Sequence, residues 1–191
     1  MVMQWVLPGT VLVSQREVDG DGERMLDALF LGGDISLAQV SAVTGLESHT
    51  VQNWVKRGFL TPPIGKKYSI DQLCRIINIH MLRGVFSLER TCSLLGYING
   101  RLDDHSDDII GDAQLYFMFV SLAARAQQLS RPEACERILA EMLQDYREPY
   151  SGAKERVSNV LKVMLTAYLA ARMRTSADRM LSDLEEETKC G

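Results

Sequence analysis

Apolar positions recur at helical spacing in short blocks along the first half of the chain and in longer ones along the second. Leu37, Val40 and Val43 follow Ser36, which stands three residues before Gln39. That S-x-x-Q capping box predicts a short helix, and Gly45 supplies its stop. Val51, Trp54 and Val55 mark the inner side of a second helix, with Ser48 as its predicted cap and Gly58 as its end. Two short helices joined by a tight Thr44-Gly45-Leu46 turn form a helix-turn-helix pattern. In the following "FLTPPIGKKYSI", Pro62 and Pro63 exclude a helix, and a Gly-Lys-Lys turn between two short extended pieces predicts a small wing.

Ser69 with Gln72 makes another S-x-x-Q box and opens a helix to about Arg83, with Leu73, Ile76, Ile77 and Ile79 on its buried side, broken at Gly84. Ser87 caps the next helix, in which Leu88, Cys92 and Leu95 continue the apolar stripe before Gly96. The segment "GYINGRLDDHSDDIIGD" is too rich in Gly and Asp for a continuous helix. A further helix is expected from Asp107 or Asp108 through the apolar run at residues 115–120, then one opened by a Ser130–Glu133 box with Pro132 in its first turn and reaching about Tyr146. The last follows "EPYSG" and runs toward Leu184. Residues 115–120 are apolar on every side, which fits a central helix or one covered by a second chain, and we favour a homodimer held by this unit. The expected fold is all-α with a small β wing: an N-terminal extension and short helix (1–34), a winged helix-turn-helix (35–101) and a helical dimerisation or effector unit (102–191).

Charge sharpens this division. The chain of 191 residues has a net charge of −4, yet residues 35–101 carry 8 basic and 3 acidic side chains while both flanks are acidic. A basic middle between acidic flanks is expected when one module meets phosphate and the others do not. The second helix of the pair offers His49, Thr50, Gln52, Asn53, Lys56 and Arg57. Gln and Asn are suited to adenine edges, Lys and Arg to phosphate, and Thr50 to a methyl or phosphate contact. Lys66 and Lys67 on the wing would touch the DNA backbone, and Tyr68 directly after them completes the candidate DNA-facing set.

Other chemistry is weaker. Cys74, Cys92, Cys135 and Cys190 are far apart without a C-x-x-C pair, so reduced thiols are expected rather than a disulfide framework or zinc site. A metal site combining Cys74, His80 and Cys92 is outweighed by small cysteines buried on helices. "DGDGE" lacks the glycine and the twelfth-position carboxylate of a calcium loop and reads as a turn before a helix; "DDHSDD" reads as an acidic linker. There is no phosphate-binding glycine loop, nucleophile elbow or helical H-E-x-x-H, so neither catalysis nor a cofactor is expected. No apolar run reaches the roughly 20 residues of a membrane span, and the N-terminus lacks a signal-peptide pattern. A cytoplasmic protein is expected. A ligand pocket lined by Tyr116, Phe117, Met118, Phe119 and Met164 would give the C-terminal unit a small-molecule effector, with a protein effector as the other choice; plain core is the commoner use of such a stripe.

The segments "ISLAQVSAVTGL", "HTVQNWVKRGFLTPP", "KKYSIDQL" and "GVFSLERTCSLL" together resemble the DNA-binding domain of MerR-type regulators over about residues 35–95. The chain is more closely similar to a bacterial family catalogued as domain of unknown function 1836, through its "N-aromatic-V-K" helix, "P-P-x-x-K-K-Y" wing and "V-F-S" turn. The resemblance implies a bacterial transcription regulator that binds double-stranded DNA. His49 and Gln52 stand where MerR regulators usually carry arginines, the wing is shorter, and the long coiled coil does not follow directly. These departures admit a second expectation, a non-enzymatic protein-interaction adaptor that retains the fold.

Overall fold

The computed structural model describes residues 5–14, 21–100, 102, 108–126 and 132–190. They form a mainly helical protein with two small antiparallel sheets. In chain order the elements are β1 (Trp5–Val6), β2 (Val13–Ser14), α1 (Asp21–Leu29), β3 (Ile35–Ser36), α2 (Leu37–Thr44), α3 (Ser48–Lys56), β4 (Lys67–Tyr68), α4 (Ile70–Leu82), α5 (Leu88–Asn99), α6 (Asp112–Ala126), α7 (Pro132–Met142) and α8 (Ala153–Cys190). β1 pairs with β2, and β3 pairs with β4 with Ile35 opposite Tyr68 and Ser36 opposite Lys67.

Helix α4 is the centre of the molecule. Nine of its 13 residues are buried, because α5, α6 and α8 pack around it and α2 leans on it from the other side. The β1–β2 hairpin closes another flank. Its Gly9 sits so near α4 that a Cβ there would lie 2.8 Å from Ile77 Cγ2, and its φ of +72° disfavours any other residue. From α6, the Tyr116 hydroxyl donates to the Pro8 carbonyl at 2.8 Å, and Phe119 meets Tyr168 of α8 edge-on at 5.6 Å. Leu115, Tyr116, Phe119 and Val120 are all buried in the chain's own core. The all-round apolar run at 115–120 is therefore the inner helix of a bundle, covered by its own neighbours.

The wrapping of α4 forces a polar solution. Arg75 is buried there, donating through Nε to the Phe59 carbonyl at 3.3 Å and through Nη1 to the Asp112 carboxylate at 3.2 Å. Asp71, one turn earlier, accepts from the Ala113 amide at 3.0 Å, so a side chain of α4 caps the first turn of α6. Burial pushes the Asp112 carboxyl above its usual pKa, although the Arg75 charge pulls it down.

Local signals held where the partners are local. Both expected capping boxes, Ser36 with Gln39 and Ser69 with Gln72, are formed, and Ser87 accepts from the Arg90 amide. Other boundaries moved. Ser48 is the first residue of α3 rather than its cap: Glu47 holds the cap position, and the Ser48 hydroxyl bonds that of Ser41 at 3.0 Å. Helix α5 runs through Gly96 to Asn99, since burial of Ile98 and Asn99 outweighs a glycine cost of about 1 kcal/mol. Helix α6 starts at Asp112, because Ile109 and Ile110 are buried in the turn ahead of it. Helix α7 ends at Met142, leaving Tyr146 to donate its hydroxyl to the Ile109 carbonyl. Ser130, expected to open α7, lies outside the described residues. Asp21, Gly22 and Glu23, read as a turn, are already helical, and Gly22 lets α1 approach Val120.

Among the described residues no helix is long and apolar enough to cross a membrane, and no His, Cys, Asp or Glu side chains gather in a group that could hold a metal. Cys74 is buried in α4, Cys92 is half-buried, and burial followed by the Arg83 charge holds the His80 imidazole below its usual pKa.

Replacing Arg75 with Leu should cost about 3–5 kcal/mol at neutral pH, because Asp112 is left buried without its cation. The sign follows from the carboxyl. With Arg75 gone its folded pKa rises further above the unfolded value, so the favourable protonation is complete below the unfolded pKa and is lost as pH rises through the folded one. Urea unfolding should therefore find the deficit smaller near pH 4 than at pH 8, and a pH-independent deficit would refute the assignment.

Candidate nucleic-acid interface

Helix α3 is short enough to be held by two inward side chains. Val51 and Trp54 are buried, and Val55 is half-buried against the same core. That fixes the opposite face outward. His49, Gln52, Asn53 and Lys56 are exposed, and their spacing of three, one and three places them in one stripe along the helix. Thr50 lies beside the stripe, half-buried.

The angle between α2 and α3 is set by the residues between them. Gly45 takes the left-handed conformation (φ +71°), its amide bonded to the Ser41 carbonyl, and the Thr44 hydroxyl donates to the Val40 carbonyl while accepting from the Leu46 amide. Val11 of the N-terminal hairpin donates its amide to the Val43 carbonyl at 2.9 Å, closing the last turn of α2 from outside.

Beyond α3, Gln72 donates to Thr61 and to the Pro62 carbonyl, so the double-proline segment is tied to the start of α4. The chain then reverses at Gly65 and Lys66, both at positive φ (+56° and +64°), with the Lys67 amide bonded to the Ile64 carbonyl at 2.9 Å. Two successive positive φ values define a type I′ turn. Lys66 and Lys67 are both exposed on it. The returning strand pairs with β3, just ahead of α2, while the Ile64 side contributes a single bridge. The expected pair of extended pieces is thus reduced to one bridge and a strand shared with a distant segment.

Two expectations change. Tyr68 is only 2% exposed, held in the core by its pairing with Ile35, and burial pushes its hydroxyl pKa up. Its ring cannot lie against an external ligand, so it is a core residue and leaves the candidate set. Arg57 is exposed but engaged: it lies 2.8 Å from the Glu89 carboxylate and covers the Phe59 ring at 4.7 Å. Glu89 is held below the usual carboxylate pKa by the backbone amide at the start of α5 and then by Arg57.

The sequence reading passed over Arg83 and Arg90. Arg83 lies over the Trp54 ring at 5.6 Å and Arg90 over Phe86 at 5.4 Å, both exposed, adding cations beside the C-terminal end of α3 and the start of α5. An arginine near a helix end with an aromatic elsewhere was the available signal, but it needs the fold to bring the two together. Arg75, counted among the basic residues, is buried and structural. On the far side of the Thr61–Pro62 segment, a cleft of about 430 Å³ is lined by Asp34, Asp71, Asp108 and Asp112. The surface is thus polarised, lysines on one side of the proline segment and carboxylates on the other.

The imagined effector pocket does not assemble from its five residues. Tyr116, Phe119 and Met164 are core, and only Phe117 and Met118 reach a groove, shared with Glu23, Gln114, Ser121, Arg125 and Met142.

Residues 33–119 match the family model described as "Domain of unknown function (DUF1836)", which spans β3 through most of α6 and so includes the α3 stripe and the lysine turn. The chain is also similar to a protein of Bacillus subtilis (strain 168) described as "Uncharacterized protein YkrK", at 23% identity over 162 residues, covering 78% of this chain and 70% of that protein. No solved structure matches.

A lysine at φ +64° is strained where glycine would not be. Lys66→Gly should leave the fold intact and raise stability by about 1 kcal/mol in denaturant unfolding. A variant less stable than the parent would show that Lys66 has a structural task in the turn.

Proposed function

We propose that this protein is a DNA-binding transcription regulator of MerR-like winged helix-turn-helix type. Helix α3 serves as the reading helix and the Lys66–Lys67 turn as the wing. The observation that carries the reading is the exposed stripe His49, Gln52, Asn53 and Lys56 on a helix only nine residues long, accompanied by the lysine turn. Bidentate amides and a terminal cation suit base edges and phosphate together. The strain at Lys66 supports it further, since a strained lysine at a turn tip makes sense where its charge is used. In this reading Gln52 and Asn53 read adenine edges, His49 and Thr50 contribute at the helix start, Lys56 meets phosphate, and Lys66 and Lys67 hold the adjacent backbone. Arg57 exchanges Glu89 for phosphate on binding.

A protein-interaction adaptor is favoured over this by one observation, the Arg57–Glu89 pair, which already occupies a cation the DNA reading needs. Salt dependence separates the two. A DNA binder that neutralises phosphates loses affinity steeply as salt rises.

Selection of DNA fragments with the purified protein, followed by binding measurements, tests the reading. Replacing Lys66 and Lys67 together with Ala should weaken binding to all sequences alike and flatten the salt slope by up to about two units. Lys66→Gly should lose affinity while gaining stability, which separates the lost contact from lost folding. Gln52→Ala or Asn53→Ala should cost roughly 1–3 kcal/mol at one base pair of the selected site and leave nonspecific binding nearly unchanged. Failure of the selection to enrich any sequence, with no salt-sensitive binding, would favour the adaptor.

A further inference from the structure

Helix α8 buries one side in its first half and turns a different side apolar in its second. Ala153, Val157, Val160, Leu161, Met164, Leu165 and Ala167 are buried against the rest of the chain. From Arg172 to Glu187 every side chain is exposed, a stretch of 16 residues and about 24 Å. Within that stretch Met173, Ala177, Met180 and Leu184 repeat at spacings of four, three and four. Met173, Met180 and Leu184 are 73%, 65% and 61% exposed.

At about 100° per residue this stripe lies roughly half a turn around the helix from the buried side of the first half. The side that does continue toward the body, past Gly9, His80 and Met81, is polar: Arg172, Thr175 and Arg179. The stripe is therefore not an extension of the chain's own core, and a 3-4 repeat of this kind is the seam of a two-helix coil.

We infer that this seam pairs with the same seam of a second copy, antiparallel. The charge pattern selects both the occupant and the direction. Arg172, Arg174 and Arg179 lie in the first part of the exposed stretch, and Asp183, Glu185, Glu186 and Glu187 in the last. Parallel pairing sets like charges side by side; antiparallel pairing sets the basic part against the acidic part.

One register satisfies the apolar layers as well. With Met173 level with Leu184 of the second copy and Ala177 level with its Met180, large side chains face small ones at the centre. The same register brings Arg174 to the same flank as Glu185 of the second copy, and Arg172 to that of its Asp183, each within two residues of the same height. This pairing concerns a surface remote from the α3 stripe and does not rest on the DNA-binding reading.

Sedimentation equilibrium of the full chain without DNA tests it. The mass should rise from 21.4 kDa toward twice that value within tens of micromolar, a range suited to a short interface. Met180→Glu should hold the protein monomeric with its helical circular dichroism intact. Arg174→Glu and Glu185→Arg should each weaken the dimer by about tenfold or more, and the double variant, which restores opposite charges across the antiparallel pair, should recover it. A parent chain that stays monomeric, or a dimer unmoved by Met180→Glu, would overturn the proposal, and a double variant no better than the singles would overturn the antiparallel register.

Discussion

An arginine inside a helix that is wrapped on all sides must find its partners within the protein, and here those partners join the two halves of the chain. Arg75 draws the Phe59 carbonyl from one side and the Asp112 carboxylate from the other. The loop after α3 and the first turn of α6 are thereby fixed to the same point of α4. An apolar side chain of similar size would fill the space but would leave the free carbonyl of Phe59 and the start of α6 without that tie. Everything that positions the outer stripe of α3 rests on this arrangement, because α3 has only Val51 and Trp54 as fully buried anchors.

What the sequence disclosed is what a few neighbouring residues decide. Ser36 with Gln39 and Ser69 with Gln72 announce helix starts because both partners of each bond lie within one turn. The polar stripe of α3 was legible for the same reason, since Val51 and Trp54 define the inner face and the rest follows. The start of α6 was not, because Asp71, 42 residues away, caps it. Tyr68 was misplaced by its neighbours: two lysines beside it suggest a surface, and only its pairing with Ile35 reveals the alternation that turns it inward. The β1–β2 hairpin went unforeseen, each strand being two residues long, with too little alternation to read.

The outer half of α8 illustrates a different limit. Its Met and Leu residues suggest a continued core when read along the sequence, and the apolar count is indeed that of a buried helix. Only the coordinates separate the side that the first half buries from the side the second half makes apolar. Periodicity specifies a stripe; it takes a neighbour in space to say whose stripe it is.

The burial of Cys74 has a consequence for following the molecule in time. Its sulfur lies at the centre of α4, fully covered, and burial raises its thiol pKa, so thiolate and access both require the core to part. Cys92 and Cys135 lie nearer the surface, half-buried. A thiol-reactive dye added to the folded protein would therefore label in separate phases, and the slowest would time the opening of α4 itself, giving the chain an intrinsic clock for its own unfolding.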